Sequence, residues 1–347
     1  MTNPAVSVVI AAHDGAAVIG DALASLTAQT FADFEVIVVD DGSTDATRDV
    51  VLAYPDERVR LIALEATSGR SRARNRGVAE ARGTYIAGLD QNDLCRRDRL
   101  ARQVVYLERH PRAVLVASAG TIVRDGIAQR STLPATTTPA LIGWLLRLFN
   151  PLLWSSVMLR ADVAHELDSV ARPELRFAED FDLYHRVSHY GAIARIDTPL
   201  VTHRIASGAG NPHPGAAMVA SMTALLERVY LPMLGDGAAE AAGLIARHVA
   251  VGVPVRDRET LRQLGALIAM LQSSYLDTGH CDRNDVALIR RETAQLWWRI
   301  ARRAVRTGAL SLDDALTVRP DHVDLDRVGL WSRVTGPTRA ARRRLTR

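Results

Sequence analysis

The 347-residue chain is 48% hydrophobic and 24% charged, which is enough apolar content to bury full cores and too much for a disordered polymer. Its net charge of +4 rests on 43 basic residues, every one an arginine, and that balance alone gives no reason to expect a nucleic-acid partner. The two cysteines, Cys95 and Cys281, are too few for a disulfide framework and too isolated for a zinc cluster.

The first third alternates apolar strands with amphipathic helices. Val6 to Ile10 is a buried strand by its β-branched content, and Ala16 to Gln29 sets Val18, Ile19, Ala22, Leu23 and Leu26 on one helical face. Glu35 to Val39 predicts a second strand, ended by the turn-forming Asp40 to Asp45, where Ser43 or Asp45 can cap a following helix. Arg58 to Leu64 predicts a third strand, Arg70 to Ala81 a helix, Thr84 to Leu89 a fourth strand and Arg96 to Arg109 another helix. Strands separated by helices of this length require right-handed crossovers, hence an α/β fold with a mixed, mostly parallel sheet. The residues that follow its strands, Ala11 to Asp14, Asp40 to Ser43 and Asp90 to Asp93, fall at the edge where open α/β sheets hold ligands.

Further on come strands at Ala113 to Ala119 and Thr121 to Arg130, the latter with an Asp125-Gly126 pair suited to a hairpin turn. A helix at Ala140 to Phe149, a strand at Ser155 to Leu159, a helix at Glu179 to Tyr190 and a strand at Ala192 to Arg204 complete this half. The Gly208 to Gly215 run is the best linker. It divides residues 1–210 from a helical extension over 216–338, with 211–215 as connection and 339–347 as a basic tail. The extension reads as helices over Ala216 to Met233, Ala238 to Val251, Asp257 to Leu276 and Asp282 to Arg306, with Leu261, Leu264, Ile268 and Leu271 at helical spacing. The amino terminus lacks the basic-then-apolar order of a signal peptide, and the apolar stretch Ala140 to Trp154 is interrupted and shorter than the roughly 20 residues of a spanning helix. The expectation is a soluble, cytoplasmic protein, with the inner face of the membrane as its alternative setting.

No dinucleotide or triphosphate glycine loop is present. Instead, ordered segments carry a resemblance: Val6 to Ile10, Gln29-Thr30, Glu35 to Asp45 (EVIVVDDGSTD), Ala73 to Gly77, Gly83 to Ile86, Asp90 to Asp93, Asn150-Pro151, Ser156 to Arg160 and Glu179 to Leu183. Together they resemble the successive motifs of family 2 glycosyltransferases over about residues 5–210. That resemblance implies a GT-A fold, a sugar-nucleotide donor, a hydroxyl acceptor that is a sugar, a lipid-linked species or another alcohol, and inversion at the anomeric carbon. It also implies roles: Ala11, His13 and Asp41 beside the base, Arg74, Asn75, Asp90, Gln91 and Arg204 around the donor, and Asp180 with Glu179 as general base and its companion. Such types suit the reaction, because a departing nucleoside diphosphate needs cations or guanidinium groups and the acceptor hydroxyl needs a carboxylate to take its proton.

Two departures bear on metal. The family loop is usually Asp-Ala-Asp-Asp, whereas this chain has Asp90-Gln91-Asn92-Asp93, and a neutral amide is a poor ligand for a hard cation. The histidine that completes the metal shell in many relatives aligns with Ala206, and His203, at a tyrosine position, reads as a packing or substrate contact. A divalent cation (Mn²⁺ or Mg²⁺) at Asp90, Asn92 and Asp93 is thus expected to be weak or dispensable, with Arg204 and Arg74 sharing the diphosphate charge, and no organic cofactor is expected. Alternatives of other classes are a sugar-nucleotide-binding protein without transfer and a scaffold dimerising through the helical extension. Trp297-Trp298 with Arg299, Arg302 and Arg303 adds a lipid-facing surface as a further option for that extension, against a packed bundle.

Overall fold

The computed structural model describes residues 3–129, 133–175, 177–205, 215–321 and 323. Ala206, most of the linker, residues 324–338 of the extension and the basic tail lie outside the described residues. The chain divides into two compact units, residues 1–246 and 247–347.

The first unit opens with β1 (Val6–Ala12), α1 (Ile19–Thr27), β2 (Phe34–Asp40), α2 (Thr47–Leu52), β3 (Val59–Ala63), α3 (Arg70–Ala79) and β4 (Tyr85–Gly88). It continues with β5 (Leu94–Cys95), α4 (Arg99–Arg109), β6 (Ala113–Arg124), β7 (Ile127–Gln129), α5 (Pro139–Leu146), β8 (Met158–Arg160), α6 (Ala161–His165), α7 (Glu179–Val187) and β9 (Ala192–Ile205). The strands form one sheet in the order β3-β2-β1-β4-β8-β6-β9-β5, with β7 hairpinned onto β6. β1 pairs parallel with β2 and β4, β2 with β3 and β6 with β9, while β8 runs antiparallel to both neighbours, so the sheet is mixed as expected.

Burial on both faces explains why the central strands read as unbroken apolar runs. Val36 and Val38 pack on one face with Leu23 and Leu26 of α1 and Leu100 and Leu107 of α4; Ile37 and Val39, the alternate residues, pack on the other with Ala73 of α3. α3 crosses this face at close range because Gly77 has no side chain: a Cβ there would sit 2.4 Å from Val9 Cγ1. That contact fixes Arg74, one turn earlier, against the sheet.

α8 (Gly215–Leu234) and α9 (Ala238–Ile245) belong to the first unit, so the division falls beyond the glycine-rich run read as the linker. The reason is packing: Met222, Leu225 and Leu226 are buried, and the Tyr230 hydroxyl donates to the Arg147 carbonyl at 2.5 Å. By length and composition alone, the helical stretch Gly215–Ala250 is long and apolar enough to cross a membrane, a property the sequence reading did not assign to it. The second unit contains α10 (Arg258–Leu276), α11 (Arg283–Arg306) and α12 (Leu312–Thr317), begun by Asp257, Asp282 and Ser311 caps. Trp297 and Trp298 are buried within it and pack edge to face at 4.9 Å, so they do not form the lipid-facing surface considered from sequence.

Candidate active site

Parallel pairing aligns the ends of β1, β2 and β4, with Ala11 opposite Val39 and Val9 opposite Gly88. The loops that follow therefore meet at one edge. There the Gln91 carboxamide grips the backbone of His13 from both sides, accepting its N–H at 3.0 Å and donating to its carbonyl at 3.0 Å. The His13 ring in turn lies 2.9 Å from the Asp41 carbonyl oxygen through Nδ1. Asp41 is buried and its carboxylate accepts from the Ser68 N–H (2.7 Å), the Ser68 hydroxyl (2.8 Å) and the Gly69 N–H (2.8 Å). Asp41 and Gln91, read from sequence as donor-binding, use these polar atoms to hold the neighbouring loops together.

Arg74 is the centre of the site. It is 1% exposed, donates through Nη1 to Asp180 Oδ1 at 2.6 Å and through Nη2 to Asp90 Oδ1 at 2.8 Å, and its guanidinium lies over the Trp154 ring at 4.5 Å. The arginine lies on α3, Asp90 follows β4, and Asp180 opens α7, so three separate segments converge on one guanidinium. Glu179 is buried beside them, bonded to Arg70 and 3.8 Å from Arg74. Burial pushes the Asp90 acid up, but Arg74 and Arg70 outweigh it and hold the group below its ordinary value. For Asp180 the balance is reversed: burial, with the charges of Glu179 and Asp90, outweighs Arg74 and raises it. Two carboxylates sharing one guanidinium are thus pushed apart, one a persistent anion and the other a stronger base.

Residues outside the sequence-based set complete this cluster. Ser155 accepts the Asp90 N–H at 3.0 Å, Trp154 floors Arg74, and Arg70 neutralises Glu179. Tyr184, one turn beyond Asp180, is fully buried, and burial lifts its phenol well above the usual range, so it stays protonated. Ser155 and Arg70 open an expected strand and an expected helix, so both had a local signal; Trp154 and Tyr184 carried none.

Asn75, expected from the resemblance at the donor, uses its carboxamide on the backbone. Its Nδ2 donates to the Ala171 carbonyl at 2.6 Å and its Oδ1 accepts the Ala171 N–H at 2.8 Å, tying α3 to the segment before α7. Asn92 and Arg204 form a similar brace: Asn92 Nδ2 donates to the Arg204 carbonyl at 2.5 Å, and Arg204 Nε donates to the Asn92 carbonyl. Arg204 also pairs with Asp21 at 2.8 Å, so this guanidinium is already engaged.

Asp90, Asp93 and His203 bring one ligand atom each within 4.8 Å of one another, an arrangement able to hold a metal ion. His203 Nδ1 lies 2.9 Å from Asp93 Oδ2, a contact that raises the imidazole above its ordinary value, and the Arg204 N–H donates to Asp93 Oδ1 at 3.0 Å. Two carboxylates and an imidazole suit Mn²⁺. The residues therefore fit a cation, with His203, read from sequence as packing or substrate contact, as the third donor, while Asn92 uses its amide nitrogen on the backbone.

Residues 7–161 match the family described as glycosyl transferase family 2. The succinoglycan biosynthesis protein ExoO of Rhizobium meliloti (strain 1021) is 36% identical over 199 residues, which is 52% of this chain and 54% of the relative, so the chain spans about half of that protein's length. Among solved structures, S. aureus TarS 1-349 in complex with UDP-GlcNAc superposes with a TM-score of 0.53 at 16% identity, covering 92% of this chain and 89% of that one. The mannosyltransferase PcManGT from Pyrobaculum calidifontis in complex with GDP-Man and Mn²⁺ gives 0.51 at 17%, covering 92% and 86%. Residues 7–161 thus resemble a family 2 glycosyltransferase domain, and the fold of the first unit is the GT-A fold.

Proposed function

We propose that the protein is an inverting glycosyltransferase that moves a sugar from a nucleoside-diphosphate sugar to a hydroxyl acceptor in the synthesis of a bacterial polysaccharide or other glycoconjugate. The observation that carries this reading is the pair Asp90 and Asp180 on the two arms of buried Arg74. The likeness to a succinoglycan biosynthesis protein supports the polysaccharide setting, and the fold shared with a UDP-GlcNAc complex supports a nucleotide-sugar donor.

In this reading the acceptor oxygen attacks the anomeric carbon as the bond to the diphosphate oxygen breaks, and Asp180 takes the acceptor's proton. Basicity is what the raised Asp180 supplies, because an acceptor hydroxyl yields its proton only as its bond to carbon forms. Arg74 keeps the Asp180 carboxylate oriented and leaves it 23% exposed, accessible to one reactant. Asp41 and Gln91 hold the loops that receive the nucleotide. Asp90, Asp93 and His203 would hold a cation, which when bound neutralises charge developing on the leaving diphosphate.

The test is donor consumption by the wild type and Asp180→Asn, with EDTA and with Mn²⁺. We expect Asp180→Asn to lose at least about 100-fold in turnover, the scale of a missing general base. Wild-type turnover should rise with pH as Asp180 ionises and persist, reduced, in EDTA. Equal rates for the two proteins would leave only a sugar-nucleotide binder; complete loss on chelation, restored by Mn²⁺, would overturn the dispensable cation.

A further inference from the structure

Asp182 lies two residues past the proposed base and is buried at 3% exposure. Three arginines surround it. Arg186 is the close partner, with Nε 2.7 Å from Asp182 Oδ2, and its remaining nitrogens donate to the carbonyls of Ser169 (2.6 Å) and Val170 (3.0 Å). Arg172, from the segment before α7, and Arg228, from α8, both approach the other oxygen, Oδ1, at 3.3 Å.

One buried carboxylate requires one counter-charge, and Arg186 already supplies it in full hydrogen-bonding geometry. Charge-assisted N–H···O⁻ bonds normally close to about 2.7–2.9 Å, so the two contacts at 3.3 Å are loose and share one acceptor. Holding two guanidinium groups against each other for so little return is unfavourable unless something else takes up their charge. Among the described residues, neither Arg172 nor Arg228 pairs with another carboxylate, and their side chains are 31% and 53% exposed. Both side chains therefore reach solvent, and the three guanidinium groups leave a formal surplus of two positive charges over the one buried acid they share.

We infer that Arg172 and Arg228 form a clamp for a phosphate group, with Asp182 and Arg186 as its rigid base. The forked guanidinium matches phosphate oxygens bidentately, and the sharing of Asp182 Oδ1 brings the two forks close enough to grip one phosphate or diphosphate from two sides. As the base of the clamp lies on α7, which carries Asp180, and one arm lies beside the residue that Asn75 ties to α3, it would serve the phosphate of the acceptor or of a lipid headgroup. That assignment rests on the glycosyltransferase reading; the phosphate site itself does not.

The test uses the full chain and its Arg172→Gln/Arg228→Gln variant, titrated calorimetrically with inorganic diphosphate and sedimented with vesicles of phosphatidylglycerol or phosphatidylcholine. We expect at least a tenfold rise in the diphosphate Kd in the double variant, a smaller rise in Arg172→Lys/Arg228→Lys, which keeps the charges but loses the forks, and an unchanged Kd in Arg262→Gln, whose partner Glu259 lies in the second unit. If phosphatidylglycerol binding is lost in parallel, the phosphate belongs to a lipid headgroup; if only diphosphate binding is lost, it belongs to a soluble ligand. An unchanged diphosphate Kd in a folded double variant overturns the clamp, whether or not its melting temperature falls. Donor consumption by Asp180→Asn is scored separately, so the clamp and the catalytic reading fail independently.

Discussion

Arg74→Met is the sharpest perturbation of the site, because it removes the positive charge and keeps most of the volume. Breaking a buried ion pair from one side costs about 3–5 kcal/mol. Here two carboxylates lose their partner, but Asp90 and Asp180 retain 24% and 23% exposure, so water offsets part of the loss and the lower end, about 3 kcal/mol, applies. The cation–π contact with Trp154 adds about 0.5–1 kcal/mol. The sign of the pH dependence follows. With Arg74 gone, burial and mutual repulsion raise both acids above their unfolded value of 3.8, and such groups destabilise the fold increasingly as pH rises past that value. Urea unfolding of wild type and variant at pH 5 and pH 8 should therefore show a deficit that is larger at pH 8. A deficit below about 1 kcal/mol, or one equal at both pH values, would refute the assignment of Arg74 as the shared counter-ion.

Two further outcomes follow from the same geometry. Gly88→Ala places a Cβ 2.5 Å from Trp154 Cε2, so the indole must shift from beneath Arg74; a loss of about 1–3 kcal/mol, with quenched or shifted tryptophan emission, is expected by fluorescence-monitored unfolding. Glu35 is buried, yet its bonds to Arg82, Ser7 and Arg60 outweigh burial and lower it to about 2, so it stabilises the fold above pH 4.5 and that contribution fades as pH falls toward 2. Glu35→Gln should accordingly lose about 2 kcal/mol at pH 7 after allowance for screening at exposed Arg82, and almost nothing near pH 2, as read by urea midpoints.

The legible parts of this molecule are those where local chemistry and tertiary role coincide. Val36 to Val39 read as a buried strand because both faces of the sheet are covered, and Leu261, Leu264, Ile268 and Leu271 read as a helix face because that stripe is the core of the second unit. Separate strands at Ala113 to Ala119 and Thr121 to Arg130 are expected from sequence, but β6 runs through Gly120, where the ladder shifts register and Leu153 packs where a side chain would stand. The two-residue β5 offers no period at all. In the site, Arg74, Asp90 and Asp180 were visible as motif residues, but their meeting was not, since Arg74 and Asp180 are separated by 106 positions. The position of α8 was hidden for the reverse reason: its apolar spacing suits either unit, and the Tyr230 contact with the Arg147 carbonyl leaves no mark on the helix itself.

The loop Asp90-Gln91-Asn92-Asp93 resembles a metal loop weakened by amides, but its amides do work that acids cannot. A carboxamide donates and accepts, whereas a carboxylate only accepts. Gln91 uses both functions on the His13 backbone, and Asn92 uses its donor on the Arg204 carbonyl. Asn92→Asp, which supplies the acid that the family resemblance implies at this position, would therefore set an anionic oxygen against a carbonyl oxygen at a contact now 2.5 Å long. The expected cost is about 1–3 kcal/mol at neutral pH, falling as the new acid is protonated. Mn²⁺ should not recover it, because the brace between β9 and the loop would have to open before a new ligand could turn inward. Thermal melts of Asn92→Asp with and without Mn²⁺ decide the matter. A variant as stable as the wild type, with Mn²⁺ raising its melting temperature more than it raises that of the wild type, would show that the amide is a lost ligand and not a structural brace.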